Sequence, residues 1–298
     1  MSVATPFEVP ITWTFISMSP TTRALFAASQ SGITSPGPYR ANGASGSRCT
    51  FGLGPNRSLP LRPEDTFMYL TRAFLDPKSR DVRADFKNPE SLHKTVMRAF
   101  PDDAGPSPRS AHSVLYRLDQ DRGDRLVLLV QSRTKPRFER WPSGYVLDMG
   151  GDLDLAFSNV GENPAVRSLE AQRAALSPGS RFAFRLRANT TKKIDTRTAL
   201  DGVRRHGRRV PVRGDEERLR WLARHAEAAG FAVDGRGVRI TEIAASGGRG
   251  GKSVTVGGAL FEGILVVRNV ERFVHALESG IGPAKAYGFG LLSIARIP

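Results

Sequence analysis

The sequence predicts an α+β protein in which a β-α-β-β-α-β order runs twice, behind an N-terminal extension without a core of its own. Three observations carry this. From Met68 onward, strand-like alternation and helical periodicity interleave in that order in two successive halves. The 298 residues suit two domains at about 150 residues each. The composition, 40% hydrophobic and 24% charged, is that of an ordinary globular chain.

The first 67 residues have a different texture. They hold five Arg, no Lys and three acidic residues among many Ser, Thr, Gly, Pro and Ala. Such windows bury too little apolar surface to offset the entropy of ordering. A disordered extension, not needed by the working protein, is expected there.

Met68–Leu75 alternates and carries aromatics, as a strand does. A loop is expected next. Asn88 is then a good N-cap, Pro89 suits the first helical position, and Glu90 complements the positive helix end. Leu92, Val96, Ala99 and Phe100 repeat at helical spacing until Pro101. Ser113–Leu118 and Arg125–Gln131 read as a hairpin around the turn-forming stretch 121–124. The weaker segment Trp141–Phe157 is expected to complete this first unit, over residues 68–165. In the second unit, 175–298, Phe182–Arg187 is a strand and Glu216–Ala229 an amphipathic helix ended by Gly230. Strands follow at Phe231–Val233, Val238–Ile243, Ser253–Val256 and Ala259–Val267. Val270–Leu277 is a short helix and Phe289–Ile297 a closing strand. This is the ferredoxin-like plan shared with RNA-recognition modules, so the fold class is α+β with tandem ferredoxin-like (RRM-like) domains.

Composition also excludes. No run of 18 apolar residues is present, so no membrane-spanning helix is expected. No secretory signal is expected in the first twenty residues, which hold no Lys or Arg and no unbroken apolar core. A single cysteine, Cys49, forbids a disulfide framework and fits the cytoplasm. The 44 Lys and Arg against 29 Asp and Glu give +15 and a pI near 10.8. That excess points to a polyanionic partner, usually nucleic acid. The five histidines, His93, His112, His206, His225 and His275, show no metal-ligand spacing, and no serine-hydrolase elbow occurs. A metal is not expected.

Gly251-Lys252-Ser253 is not a phosphate-binding P-loop. The first motif glycine would fall at Ser246, and a strand rather than a helix follows. Arg249 and Lys252 on this Gly-rich loop suit a basic finger reaching phosphate oxygens, although an ordinary hairpin loop would look the same. The stretch 280–292 places Gly280, Gly282, Gly288, Gly290 and Lys285 between the last helix and last strand. Its backbone N–H groups and one fixed charge suit a phosphate grip, and a tight turn alone is not expected to need four glycines. Arg204, Arg205, Arg208 and Arg209, with Lys192 upstream, suit an element lying against a nucleic-acid groove. His93 flanks the apolar stripe of its helix, and Glu90, three residues earlier on the neighbouring face, is placed to orient or charge the imidazole as a catalytic partner. Its position alone also suits a surface or capping histidine.

Several stretches then act together: Met68-Tyr-Leu-Thr-Arg72, Asn88-Pro-x-x-Leu-His93, Phe184-Arg-Leu-Arg-Ala-Asn189, Arg209-Val-Pro211, Leu260-Phe-Glu-Gly263 and Gly280-Ile-Gly-Pro-Ala-Lys-x-x-Gly-x-Gly-Leu-Leu292. In this order and spacing, over residues 68–298, the chain resembles the CasE endoribonuclease family of type I-E CRISPR systems. The resemblance implies two ferredoxin-like domains and metal-independent, cofactor-free cleavage of CRISPR precursor RNA at the base of each repeat hairpin. It also implies product retention with the other Cascade subunits as partners, and no membrane. The family's helix-borne histidine matches His93, and its central-loop basic residue best matches Lys252. Arg185 and Arg187 lie in the matching Arg-Leu-Arg-Ala-Asn strand. Many family members carry a tyrosine where this chain has Glu90, so the tyrosine's role does not carry over. The alternative is a catalytically silent subunit that binds the RNA hairpin.

Overall fold

The computed structural model describes residues 68–102, 105–121, 125–148, 162–194, 207–249 and 252–297, with backbone alone at 244–249 and 252–255. The extension, Arg204 and Arg205 lie outside these residues.

The first sheet holds β1 (Tyr69–Leu75), β2 (Leu115–Gln120), β3 (Leu126–Ser132) and β4 (Ala165–Ser168), in the order β2-β3-β1-β4 and antiparallel throughout. Alternation divides β1 between two faces. Ala73 and Leu75 turn to a core completed by Val82 of α1 (Arg80–Lys87) and by Leu92 and Val96 of α2 (Pro89–Met97). Phe74 turns the other way, to Leu115, Val127, Leu129 and Leu291. Two expectations are corrected here. The stretch after β1 is not only a loop, because α1 forms in it. The unit closes not with Trp141–Phe157 but with β4, which runs on to Ser168. Of the described part of Trp141–Phe157, Trp141 and Tyr145 fill the core, and Val146 makes one isolated bridge to Leu75.

The second sheet contains β5 (Arg181–Ala188), β8 (Phe231–Val233), β9 (Arg239–Arg249), β10 (Lys252–Val267) and β11 (Leu292–Arg296), in the order β11-β5-β10-β8, with β9 also on β10. Helices α5 (Asp215–Ala228) and α6 (Val270–Ser279) cover one face through Trp221, Leu222, Phe273 and Ala276. Both orders are those of ferredoxin-like units. The segments expected at 253–256 and 259–267 are one continuous strand, paired with β9 from Glu262↔Arg239 to Lys252↔Arg249. A separate ribbon pairs β6 (Thr191–Ile194) with β7 (Arg208–Pro211). The short helices α3 (Pro108–Ala111) and α4 (Glu170–Ala174) complete the described elements. No helix among the described residues is long and apolar enough to cross a membrane.

The two units are joined by buried polar contacts as well as by the Leu115–Leu291 core. Arg117, 2% exposed, is held on Asp119 at 2.8 Å and donates through Nη1 to the carbonyls of Arg185 and Leu291, each at 3.3 Å. Gln131 Nε2 donates to Leu277 O at 2.6 Å. Glu278 of α6 receives Arg173 at 3.0 Å and Arg133 at 3.8 Å.

Candidate active site

Helix α2 starts as its sequence requires: the Asn88 side chain accepts from the Glu90 N–H at 3.0 Å, with Pro89 at the first position. Asp85 of α1 is buried and accepts from Ser91 Oγ and, at 2.8 Å, from Tyr145 Oη. These bonds fix the first turn of α2 and with it the orientation of His93. The helix packs on the turn Lys285–Tyr287 and on β9.

His93 is half-buried. Its ring lies nearly parallel to that of Tyr116, with centroids 6.2 Å apart and planes at 18°. Its Nδ1 is buried and has no hydrogen-bond partner among the described residues. Burial, and secondarily the Arg109 charge, lower its pKa from the ordinary 6.5, against the opposing pull of Glu90. The imidazole is therefore neutral at pH 7. Glu90 pairs with Lys94 at 3.4 Å on its own helix, and its second carboxylate oxygen is buried with no hydrogen-bond partner among the described residues.

Tyr116, fully buried, links β2 to the glycine-rich segment: its hydroxyl donates to Ala286 O at 2.5 Å. Burial raises its pKa far above the usual phenol range, so it acts as a hydrogen-bond donor and not as a base. Lys285, half-buried in that segment, has its pKa lowered by burial and then by Arg109. Arg187 lies over the Phe289 ring at 4.8 Å, with its pKa lowered chiefly by burial.

The four glycines correct one expectation, because the turn itself requires them. Gly280, Gly282, Gly288 and Gly290 all have positive φ, from +76° to +92°. At Gly290 a Cβ would stand 3.0 Å from Ile281 O and 3.2 Å from Lys285 Cγ, while its N–H donates to Arg187 O at 2.7 Å. At Gly288 a Cβ would press on the Tyr116 ring at 3.3 Å. Gly290→Ala should thus cost about 1–2 kcal/mol, the penalty of a left-handed L-residue, in urea unfolding. Gly257→Ala, where a Cβ meets nothing nearer than 4.0 Å and φ is not positive, should stay within about 0.5 kcal/mol. Equal losses would show that the strained turn does not matter.

The remaining predicted residues lie elsewhere. In the ribbon, Lys193 stands directly opposite Arg209, and Lys192 and Arg208 share the other face. All four are exposed and none makes an ion pair among the described residues; Arg209 Nη1 donates to Thr191 Oγ1 at 3.2 Å. Cations facing each other across strands repel, and the arrangement suits an anion laid over them. The described part of the Arg-rich run, Arg208–Pro211, is thus a strand of a ribbon. Arg185 is not brought to His93: it pairs with Glu262 at 2.6 Å and Asp119 at 3.7 Å. Lys252 and Arg249 face each other in register at the far end of the β9–β10 hairpin, and their side chains are not described. Tyr116 and Arg109 escaped the sequence reading. An aromatic in a hairpin strand and an arginine after a proline carry no local mark of a site.

Among the described residues, no three of His, Cys, Asp and Glu converge as metal ligands. Residues 68–296 match the protein family described as CRISPR associated protein. The chain is similar to the CRISPR-associated endoribonuclease Cse3 of Thermus thermophilus, with 32% identity over 240 residues, 76% of this chain and all of that protein. It is also similar to the Cascade subunit CasE of Escherichia coli, with 37% identity over 125 residues, 41% of this chain and 61% of that protein. Thermus thermophilus Cse3 bound to an RNA representing a pre-cleavage complex superposes with a TM-score of 0.60 at 32% identity, over 76% of this chain and 98% of that one. A chain of a CRISPR RNA-guided surveillance complex gives 0.52 at 27% identity, over 77% of this chain and all of that one.

Proposed function

The chain belongs to the CasE/Cse3 family of type I-E CRISPR-associated proteins, and from that premise we propose that it is a metal-independent endoribonuclease. Its substrate is CRISPR precursor RNA, cleaved at the base of each repeat hairpin. The observation that carries this reading is the half-buried His93, its ring nearly parallel to that of Tyr116, on a helix packed against the turn that holds Lys285.

RNA brings its own nucleophile, so proton transfer and charge stabilisation suffice. The 2′-hydroxyl attacks the adjacent phosphorus, its proton passes to His93, and the bond to the 5′-oxygen breaks as that oxygen takes a proton from water. The product end is a 2′,3′-cyclic phosphate or its hydrolysed 3′-phosphate. Lys285 lies beside the site to neutralise phosphate charge, and Tyr116 positions the turn that carries it. Lys252, on the β9–β10 hairpin, is assigned to the scissile phosphate as the family resemblance implies. The cations of the β6–β7 ribbon, with Arg204 and Arg205 between its strands, take the hairpin backbone. After cleavage the protein keeps its product and joins the other Cascade subunits; similarity to a chain of a surveillance complex supports that partnership.

The test is cleavage of the cognate repeat hairpin with and without EDTA, beside a hairpin carrying one 2′-deoxynucleotide at the scissile position. Cleavage should persist in EDTA and stop on the deoxy substrate. Loss of activity in EDTA would overturn metal independence. Tight binding without cleavage would favour the silent RNA-binding subunit.

A further inference from the structure

Arg109 sits on α3, in a stretch whose sequence carries no mark of a site. Its half-buried guanidinium is anchored on two neutral oxygens. Nη1 donates to Val114 O at 3.2 Å and Nη2 to Ser110 Oγ at 2.7 Å. Among the described residues no carboxylate pairs with it. Val114 leads into β2, and Tyr116 follows about 7 Å along the strand. That residue carries both the ring stacked on His93 and the hydroxyl that holds Ala286 beside Lys285. Arg109 is thus fixed at the edge of the same patch, and its charge is felt at His93 and at Lys285. The nearest acid on α2, Glu90, is engaged with Lys94. Two cations sharing a half-buried, acid-poor patch repel each other unless an anion lies between them.

Resting on the cleavage reading above, we infer that Arg109 is a further catalytic residue, whose remaining N–H groups bind a non-bridging oxygen of the scissile phosphate. Negative charge grows on that oxygen as the 2′-oxygen bonds to phosphorus and the bond to the 5′-oxygen lengthens. The 2′-hydroxyl proton goes to His93, and the departing 5′-oxygen takes a proton from water. A guanidinium already anchored through two of its nitrogens needs little reorganisation to meet that charge. The same charge adds to burial in keeping the imidazole in its proton-accepting form. One side chain thereby serves both ends of the proton and charge balance.

The experiment compares wild type, Arg109→Ala, Arg109→Lys and His93→Ala in single-turnover cleavage at saturating enzyme across a range of pH. Binding of the 2′-deoxy hairpin and NMR titration of His93 accompany it. Arg109→Ala should slow cleavage by about 10²- to 10³-fold, the loss typical of one oxyanion donor. Affinity for the deoxy hairpin should change far less. Arg109→Lys should recover part of the rate, since it keeps the charge but loses the fork. Without Arg109 the His93 pKa should rise, moving the ascending limb of the pH profile to higher pH. The other charged or titratable groups on the elements packed against α2 are unchanged in these variants: Asp85 on α1, Tyr116 on β2, Arg239, Glu242 and Arg249 along β9, and Lys285 and Tyr287 in the turn. A shifted limb therefore reports Arg109. Cleavage by Arg109→Ala within about threefold of wild type, while His93→Ala is inactive, would overturn this assignment alone. Activity retained in His93→Ala would instead overturn the role of His93 in the cleavage reading. If Arg109→Ala does not fold, Arg109→Gln, which can still bond Val114 O, replaces it with the same two outcomes.

Discussion

Replacing His93 with alanine is expected to slow single-turnover cleavage of the repeat hairpin by about 10²- to 10⁴-fold, the usual contribution of a general base. Hairpin affinity should stay nearly the same, because the ribbon cations are not on α2. The pH dependence follows from the lowered pKa. Below 6.5 the wild-type rate should climb as the imidazole loses its proton, then level off before neutrality. A rate that falls with rising pH through the same range would make His93 an acid and not a base. Cleavage by the alanine variant within a few-fold of wild type would remove it from the mechanism altogether.

The second large effect concerns affinity. Arg208→Ala combined with Arg209→Ala should weaken hairpin binding by roughly 30-fold, at about 1 kcal/mol for each net hydrogen bond lost. Each phosphate left without its arginine should also flatten the log–log salt dependence by about 0.7 to 0.9. At saturating enzyme the cleavage rate should fall much less than with His93→Ala. A salt titration of binding beside the single-turnover rate checks both points. An unchanged slope would mean that these arginines face only water.

Periodic elements were legible in the sequence, and so was the residue on which the chemistry is proposed to turn. Helix α2 announces itself through Asn88, Pro89 and the stripe of Leu92 and Val96, and the structure caps it in that way. Helix α1 did not, for a physical reason. Only Val82 and Asp85 of it are buried, and an inward-facing acid, satisfied by Ser91 and Tyr145, spoils the apolar pattern. Strand β4 has four residues, two of them exposed, too few for alternation to speak. The ribbon was legible as charge but not as β-structure, because the run of Lys192, Lys193, Arg208 and Arg209 hides the pairing that sets Lys193 opposite Arg209. At the site, His93 and Lys285 lie nearly two hundred residues apart, and family likeness linked them where periodicity could not. Tyr116 became visible only through a bond to the distant Ala286 O, and Arg109 through its local bond to Val114 O, two residues ahead of Tyr116.

The joint between the two units carries a consequence for accuracy. In the proposed reaction the hairpin is gripped on the second unit, by the ribbon, while the proton acceptor rides on the first. The cut therefore falls where the distance between grip and acceptor dictates, and the protein acts as a ruler. The graduations of that ruler are the buried bonds of Arg117 to Arg185 O and Leu291 O, of Gln131 to Leu277 O, and of Tyr116 to Ala286 O. A stiff joint yields guide RNAs with a single 3′ end. A slack one would keep cutting but leave a ladder of ragged ends, an error of measurement and not of chemistry.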